Sequence, residues 1–111
     1  MATDMLPQFD FAPFTNRQCD GIAELLKAVG HPVRLRVIDT LARGEICVGD
    51  LALAIGEKQA IVSQQLKILR MVGLVKTERR AGKAFYRLNN QHLYDLLSCM
   101  HRCACSQFPE E

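Results

Sequence analysis

QAIVSQQLKILRMVG, residues 59–73, is the stretch that decides the fold. At 100° per residue it places Val62, Leu66, Leu69 and Val72 on one side, flanked by Ile61 and Ile68, which is the apolar stripe of a helix that packs on a core. Gln59, Ser63, Gln64, Lys67 and Arg70 fall on the other side, and no carboxylate is among them. Solvated helix faces usually mix acids with bases at helical spacing, so a face of amides, a hydroxyl and cations is suited to an anionic partner such as nucleic acid.

The charge distribution agrees with that reading. The 111-residue chain carries a net charge of only +2, but residues 58–87 hold eight bases (Lys58, Lys67, Arg70, Lys76, Arg79, Arg80, Lys83, Arg87) against Glu78 alone. That segment is therefore net +7, while the remainder, with six bases and eleven acids, is net −5. A local cationic block of this kind is the electrostatic footprint of phosphate binding. The length supports one core and one domain. No apolar run approaches the roughly 20 residues of a membrane span, and the start, MATDMLPQFDF, lacks a signal-peptide layout, so a cytoplasmic protein is expected. Five cysteines, an odd number in such a compartment, argue against a disulfide framework. Neither a phosphate-cradling glycine loop, nor paired catalytic carboxylates, nor a base and orienting group for a nucleophilic cysteine is recognisable, so no enzyme is expected.

Upstream, residues 1–15 contain Pro7, Pro13 and three phenylalanines (Phe9, Phe11, Phe14) without periodicity, which reads as an irregular arm able to lay an aromatic on the body. A domain of residues 16–106 and a tail of 107–111 follow. A helix is expected over 16–29, with Ile22, Leu25, Leu26 and Val29 inward and Gly30 ending it. His31-Pro32 opens a second helix with Val33, Leu35, Val37, Ile38 and Leu41 inward, closed by Gly44, and His31 reads as a cap or packing residue. EICV is a brief extended piece. Residues 50–55 form a short helix with Leu51, Ala54 and Ile55 inward, and Gly56 stops it ahead of the basic helix, giving a helix-turn-helix. After Gly73 the period becomes alternating. LVKTERR and AFYRLN form a hairpin around Ala81, Gly82 and Lys83, with Arg79, Arg80, Lys83 and Arg87 at its tip and flanks. The expected fold is thus mainly α with a small β-hairpin, a winged helix-turn-helix whose helix enters the major groove of double-stranded DNA. A last helix from about Asn90 to about Cys103 carries Leu93, Leu96, Leu97, Met100 and Ala104 as a stripe. The first and last helices are expected to pair across a two-fold axis in a homodimer.

The run from His31 to Leu88, above all EICVGDLALAIGEKQAIVSQQLKILRMVGLVKTERRAGKAFYRL, resembles the ArsR/SmtB family of metal- and thiol-responsive repressors. The match lies in the segment ICVGDLA, the V-S-x-Q-L helix, the G-L-V exit and the G-x-x-x-Y wing, and with the flanking helices it covers about two thirds of the chain. The resemblance implies a dimeric repressor that holds operator DNA when ligand-free and lets go when an inducer binds. It puts DNA contacts on Ser63, Gln64 and Lys67, with wing contacts near Arg79 and Lys83; the helical wheel and charge census add Gln59, Arg70 and Arg80.

The family's sensing patterns fit this chain only in part. The C-V-C pair of arsenic and cadmium sensors reads Cys47, Val48, Gly49 here. The zinc positions are Asn90, His92, Cys103 and Ser106, of which His92 alone keeps its type. The persulfide pair reduces to Cys105, its partner position being Asp39. What the chain has instead is Cys99-x3-Cys103-x-Cys105. Cys99 and Cys103 neighbour each other on one helix face, whereas an unbroken helix would turn Cys105 about 160° from Cys103. The helix is therefore expected to end near Cys103 so that Cys105 folds back, or else the third thiol comes from a second subunit. Three thiolates form a soft site. As(III) or Sb(III) is the favoured inducer, being satisfied by three sulfurs, while Zn needs a fourth ligand such as His92 or His101. A redox- or persulfide-responsive repressor using a cysteine pair, and a zinc or cadmium sensor, are the alternatives.

Overall fold

The computed structural model describes residues 9–110. Along the chain come α1 (Asn16–Val29), α2 (Pro32–Leu41), β1 (Ile46–Cys47), α3 (Val48–Ile55), α4 (Gln59–Met71), β2 (Val75–Arg80), β3 (Lys83–Leu88) and α5 (His92–Gln107).

Local chemistry explains most of the boundaries. Thr15 and Gln18 form a reciprocal capping box at the start of α1, with bonds of 3.1 and 2.9 Å between each side chain and the other's backbone. His31 caps α2 by accepting the Val33 N–H on Nδ1 at 3.2 Å, with Pro32 in the first turn, so its role as a cap holds. α3 begins two residues before the expected start, because Cys47 leaves the strand extended and Val48 enters the helix directly, with Gly49 tolerated in its first turn. Gly56, at φ 73°, takes the left-handed conformation that ends α3 and turns the chain into α4.

The core is built where those helices meet. Val37, Ile38 and Leu41 of α2, Leu51 and Ala52 of α3, and Val62, Leu66 and Leu69 of α4 are buried together, joined by Leu74, Val75 and Leu88 of the hairpin base and Leu93 and Leu97 of α5. Each large aliphatic side chain so buried contributes about 1.5–3 kcal/mol. Three expected core positions fail, the first being Leu26 of α1, which is 51% exposed. Val72 is 41% exposed because α4 ends at Met71, and Leu74 takes the seat beneath it. Ala54 is exposed, and Ala52 faces inward in its place.

The hairpin belongs to a three-stranded antiparallel sheet in the order β1-β3-β2. β2 and β3 pair from Val75↔Leu88 to Arg80↔Lys83, and β1 adds Ile46↔Tyr86 and Cys47↔Phe85 on the other side of β3. Lys83 is thus a strand residue, and the turn is Ala81-Gly82, both at positive φ (51° and 78°), as a two-residue hairpin of right-handed twist requires. Asn89 ties the hairpin base back to the end of α4: its N–H donates to the Leu74 carbonyl at 2.9 Å and its side-chain amide to the Gly73 carbonyl at 3.1 Å. The wing therefore keeps a fixed place beside α4.

The Asn90 side chain accepts the His92 N–H at 2.9 Å at the start of α5. The helix then runs through Gln107, past the expected end near Cys103 and past the expected domain boundary at 106. No glycine or proline interrupts residues 92–107, and Pro109 is the first residue to bar the helix. Leu26 of α1 is half exposed, Leu96 and Met100 of α5 are half-buried and Ala104 is exposed, so both terminal helices keep apolar surface. Phe9, Phe11 and Phe14 are exposed; the rings of Phe9 and Phe11 lie 5.5 Å apart, and the described part of the arm lays no aromatic on the body. The rest of the arm lies outside the described residues.

Candidate functional site

Two regions bring the sequence-derived residues together. The first is the outer face of α4 with the wing. Gln59, Ser63, Gln64, Lys67 and Arg70 are all exposed along α4, the face expected from the helical wheel. Ser63, Lys67, Arg70 and Met71 line a cleft whose far wall is Tyr86 of β3, so the helix face and the hairpin form one continuous surface. Tyr86 closes the G-x-x-x-Y pattern that marked the wing in the sequence; that it faces α4 follows from the β3 register and has no local signal. Arg79 and Lys83 stand exposed, opposite Ala84 and Arg80 in the ladder.

Arg80 differs from the other cations. Its guanidinium binds Glu45, contacts Glu78 at 3.5 Å and lies 4.6 Å over the Phe85 ring. The bond to Glu45 raises its pKa, desolvation opposes this, and the charges of Glu45 and Glu78 add to the rise. Its charge is largely compensated within the chain, and it braces the hairpin against the segment entering β1.

The second region is α5. Cys99, Cys103 and Cys105 are free thiols on exposed positions of the helix. Because α5 continues to Gln107, Cys105 points about 160° away from Cys103, and the expected fold-back does not occur. Cys99 and Cys103 are one turn apart, with Cβ atoms about 5–6 Å from each other. Among the described residues no three His, Cys, Asp or Glu side chains gather as a metal-holding group. The fourth-ligand role considered for His101 is occupied otherwise: its Nε2 lies 2.7 Å from Asp39 Oδ1 on α2. His92 sits exposed in the first turn of α5. Cys47 is half-buried opposite Phe85, and Cys19 is exposed on α1.

Between α2 and α5 runs a groove of about 400 Å³ with an almost wholly apolar wall of Leu35, Leu97, Met100, Ala104 and Phe108. Cys103, Arg36 and the Asp39–His101 pair border it. Burial pushes the Asp39 carboxyl up, but the His101 hydrogen bond and the charges of Arg43, 3.2 Å away, and His101 outweigh it and hold the group below its usual range. Asp39 thus fastens α5 to α2 at the position where the persulfide pattern would need a thiol.

Comparison with known proteins settles the lineage. Residues 31–77 match the family described as "Bacterial regulatory protein, arsR family". The biofilm growth-associated repressor of Xylella fastidiosa is 40% identical over 91 residues, covering 82% of this chain and 80% of that one. The chain belongs to the ArsR family. Its fold likewise matches solved members of that lineage: the AntR antimony-specific transcriptional repressor superposes with a TM-score of 0.77 at 29% identity, over 88% of each chain. A homodimeric winged helix-turn-helix DNA-binding domain from Mycobacterium bovis gives 0.74 at 28% identity, over 87% of this chain and 93% of the other. This ArsR-family protein is a DNA-binding transcriptional regulator and not an enzyme. Among the described residues no helix is long and apolar enough to cross a membrane.

Proposed function

We propose that the chain is a cytoplasmic homodimeric repressor that grips operator DNA through α4 and the wing and lets go when a trivalent metalloid, arsenite or antimonite, joins the thiolates of α5. Gln59, Ser63 and Gln64 are the residues suited to base edges, while Lys67, Arg70, Arg79 and Lys83 supply phosphate contacts. Dimerisation through α1 and α5 covers the apolar surface those helices keep and spaces the two reading heads for a pseudo-palindromic site.

The observation that carries the inducer assignment is the exposed pair Cys99 and Cys103, one turn apart on α5. A disulfide needs Cβ atoms roughly 3.5–4.5 Å apart, less than the about 5–6 Å of an i,i+4 helical pair, so direct oxidation would have to unwind the helix. One large atom bonded to both sulfurs spans the gap without that distortion. A third sulfur, Cys105, reaches such an atom only from the second subunit, because within one subunit it faces away. The likeness to an antimony-specific repressor supports the same ligand class. Zinc, with four ligands to satisfy, suits the pair less well.

Ligation on α5 changes the seam that spaces the two reading heads, and a coupling of a few kcal/mol is enough to empty the operator. The test is release of promoter DNA by arsenite in a shift assay. Replacing Cys99 and Cys103 by serine is expected to leave DNA binding intact and abolish release. Normal release from that variant moves the sensing site elsewhere, and release by persulfide but not arsenite favours the sulfur-sensing reading.

A further inference from the structure

We infer that α4 reads thymine: Ala60 and Met71 bear on thymine C5-methyl groups in the major groove, on either side of an adenine taken by Gln64. The inference rests on the proposed grip of operator DNA and adds the apolar members of the reading face. At 100° per residue Ala60, Gln64, Lys67 and Met71 fall within about 60° of one another, opposite Val62, Leu66 and Leu69 in the core. All four are exposed, Met71 at 79%. Ser63 and Arg70 lie about 80° round the helix, on the flank that lines the cleft beside Tyr86 of the wing. The line that stands farthest from the core, and so reaches deepest into a groove, therefore holds an alanine, an amide, a lysine and a methionine.

The chemistry of that line matches the A·T pair. In the major groove thymine alone offers a methyl group, adenine pairs its N6 and N7 with the amide of glutamine or asparagine, and cytosine offers an N4 donor that calls for a carboxylate. No carboxylate occurs on α4. Lys67, between Gln64 and Met71, is long enough to carry its ammonium to a phosphate on the groove wall while its stem stays beside the methyl contacts. Docking also takes from water the thioether that the free chain leaves exposed. Ala60 and Met71 stand about 16 Å apart along the helix axis, and Ala60 and Gln64 about 6 Å. At about 3.4 Å per base pair, each half-site is expected to hold two thymines, on either strand, at most about five base pairs apart, with an adenine between them and nearer the first.

The experiment is uracil interference with the full-length protein on its own promoter fragment. Thymines are replaced at random by deoxyuridine, which pairs identically but lacks the methyl, and bound and free fragments are separated and mapped. Interference is expected at thymines inside the protected region in a two-fold symmetric pattern, each lost methyl lowering affinity about fourfold. Met71→Ala and Ala60→Ser, both at exposed positions, are then measured on the normal fragment and on fragments carrying deoxyuridine at the interfering positions. Each variant should bind the normal fragment more weakly yet lose nothing further on the fragment that lacks its own methyl, with the salt slope unchanged. Gln64→Ala, paired with 7-deazaadenine, which lacks the N7 acceptor, tests the adenine in the same way. Absence of interference inside the protected region, or equal losses by the variants on both fragments, overturns the inference while the grip on DNA stands. Failure of the wild type to bind its promoter in low salt overturns the grip and this inference together.

Discussion

Lys67 and Lys83 project freely from the reading helix and the wing, whereas Arg80 is bound to Glu45 and Glu78, and this contrast separates two kinds of cation on one surface. Each phosphate neutralised by a protein cation releases condensed counterions, so the slope of log K against log salt steepens by about 0.9 per contact. Replacing Lys67 and Lys83 by glutamine removes two cations per subunit, four in a dimer, and should flatten the slope by about 3.6. Between about 50 and about 200 mM salt the variant's loss of affinity is then smaller than the wild type's by a factor of roughly 100. Arg80→Gln, with its charge already compensated, should change the slope by less than about 1 while lowering the melting temperature, because the hairpin loses its tie to Glu45 and its stacking on Phe85. Fluorescence anisotropy on promoter DNA over a salt series, paired with thermal melts, measures both. A double lysine variant whose slope stays within about 1 of the wild type, or an Arg80→Gln slope that falls as far as that of Lys83→Gln, refutes the division.

Leu66→Ala, at a position only 1% exposed, should cost about 2–5 kcal/mol in urea unfolding, whereas Leu53→Ala, at 82% exposure, should stay within about 0.5 kcal/mol. Gly82→Ala should destabilise by about 1–2 kcal/mol through backbone conformation alone, since φ is 78° and an added Cβ meets nothing within 4 Å; an unchanged midpoint would show that the turn adopts another form. Asp39 binds protons less readily in the folded chain than in the unfolded one, so its share of stability is present above the ordinary carboxylate range and is lost as pH falls through about 4 and below. The stability gap between wild type and Asp39→Asn, read from urea midpoints, should accordingly be widest near neutrality and close in acid.

The reading helix and the wing were legible because their signals are local. Val62, Leu66 and Leu69 repeat at helical spacing, Gly56 and Gly73 bound the helix, and Ala81-Gly82 sits between two alternating runs. The end of α5 was not legible, because the convergence of three sulfurs and the polar run before Pro109 put no constraint on the backbone at Cys103; Ala104, Ser106 and Gln107 carry no helix-breaking chemistry, and the stop waits for Pro109. The burial of Leu74 in place of Val72 depended on where α4 unwinds, a matter of one residue that periodicity does not resolve. Glu45, which binds Arg80, and Asp39, which binds His101, lie 35 and 62 residues away in sequence, so a charge census counted Arg80 with the other wing cations and treated His101 as available to a metal.

The strand order β1-β3-β2 leaves β2 with one side unpaired, a six-residue template onto which another extended chain could add. Lys76, Glu78, Arg79 and Arg80 crowd that rim with charge and guard it against self-association. Stripping the wing of its cations to weaken operator affinity would therefore also unguard the rim, and such variants should be checked for aggregation before their lost affinity is ascribed to the operator.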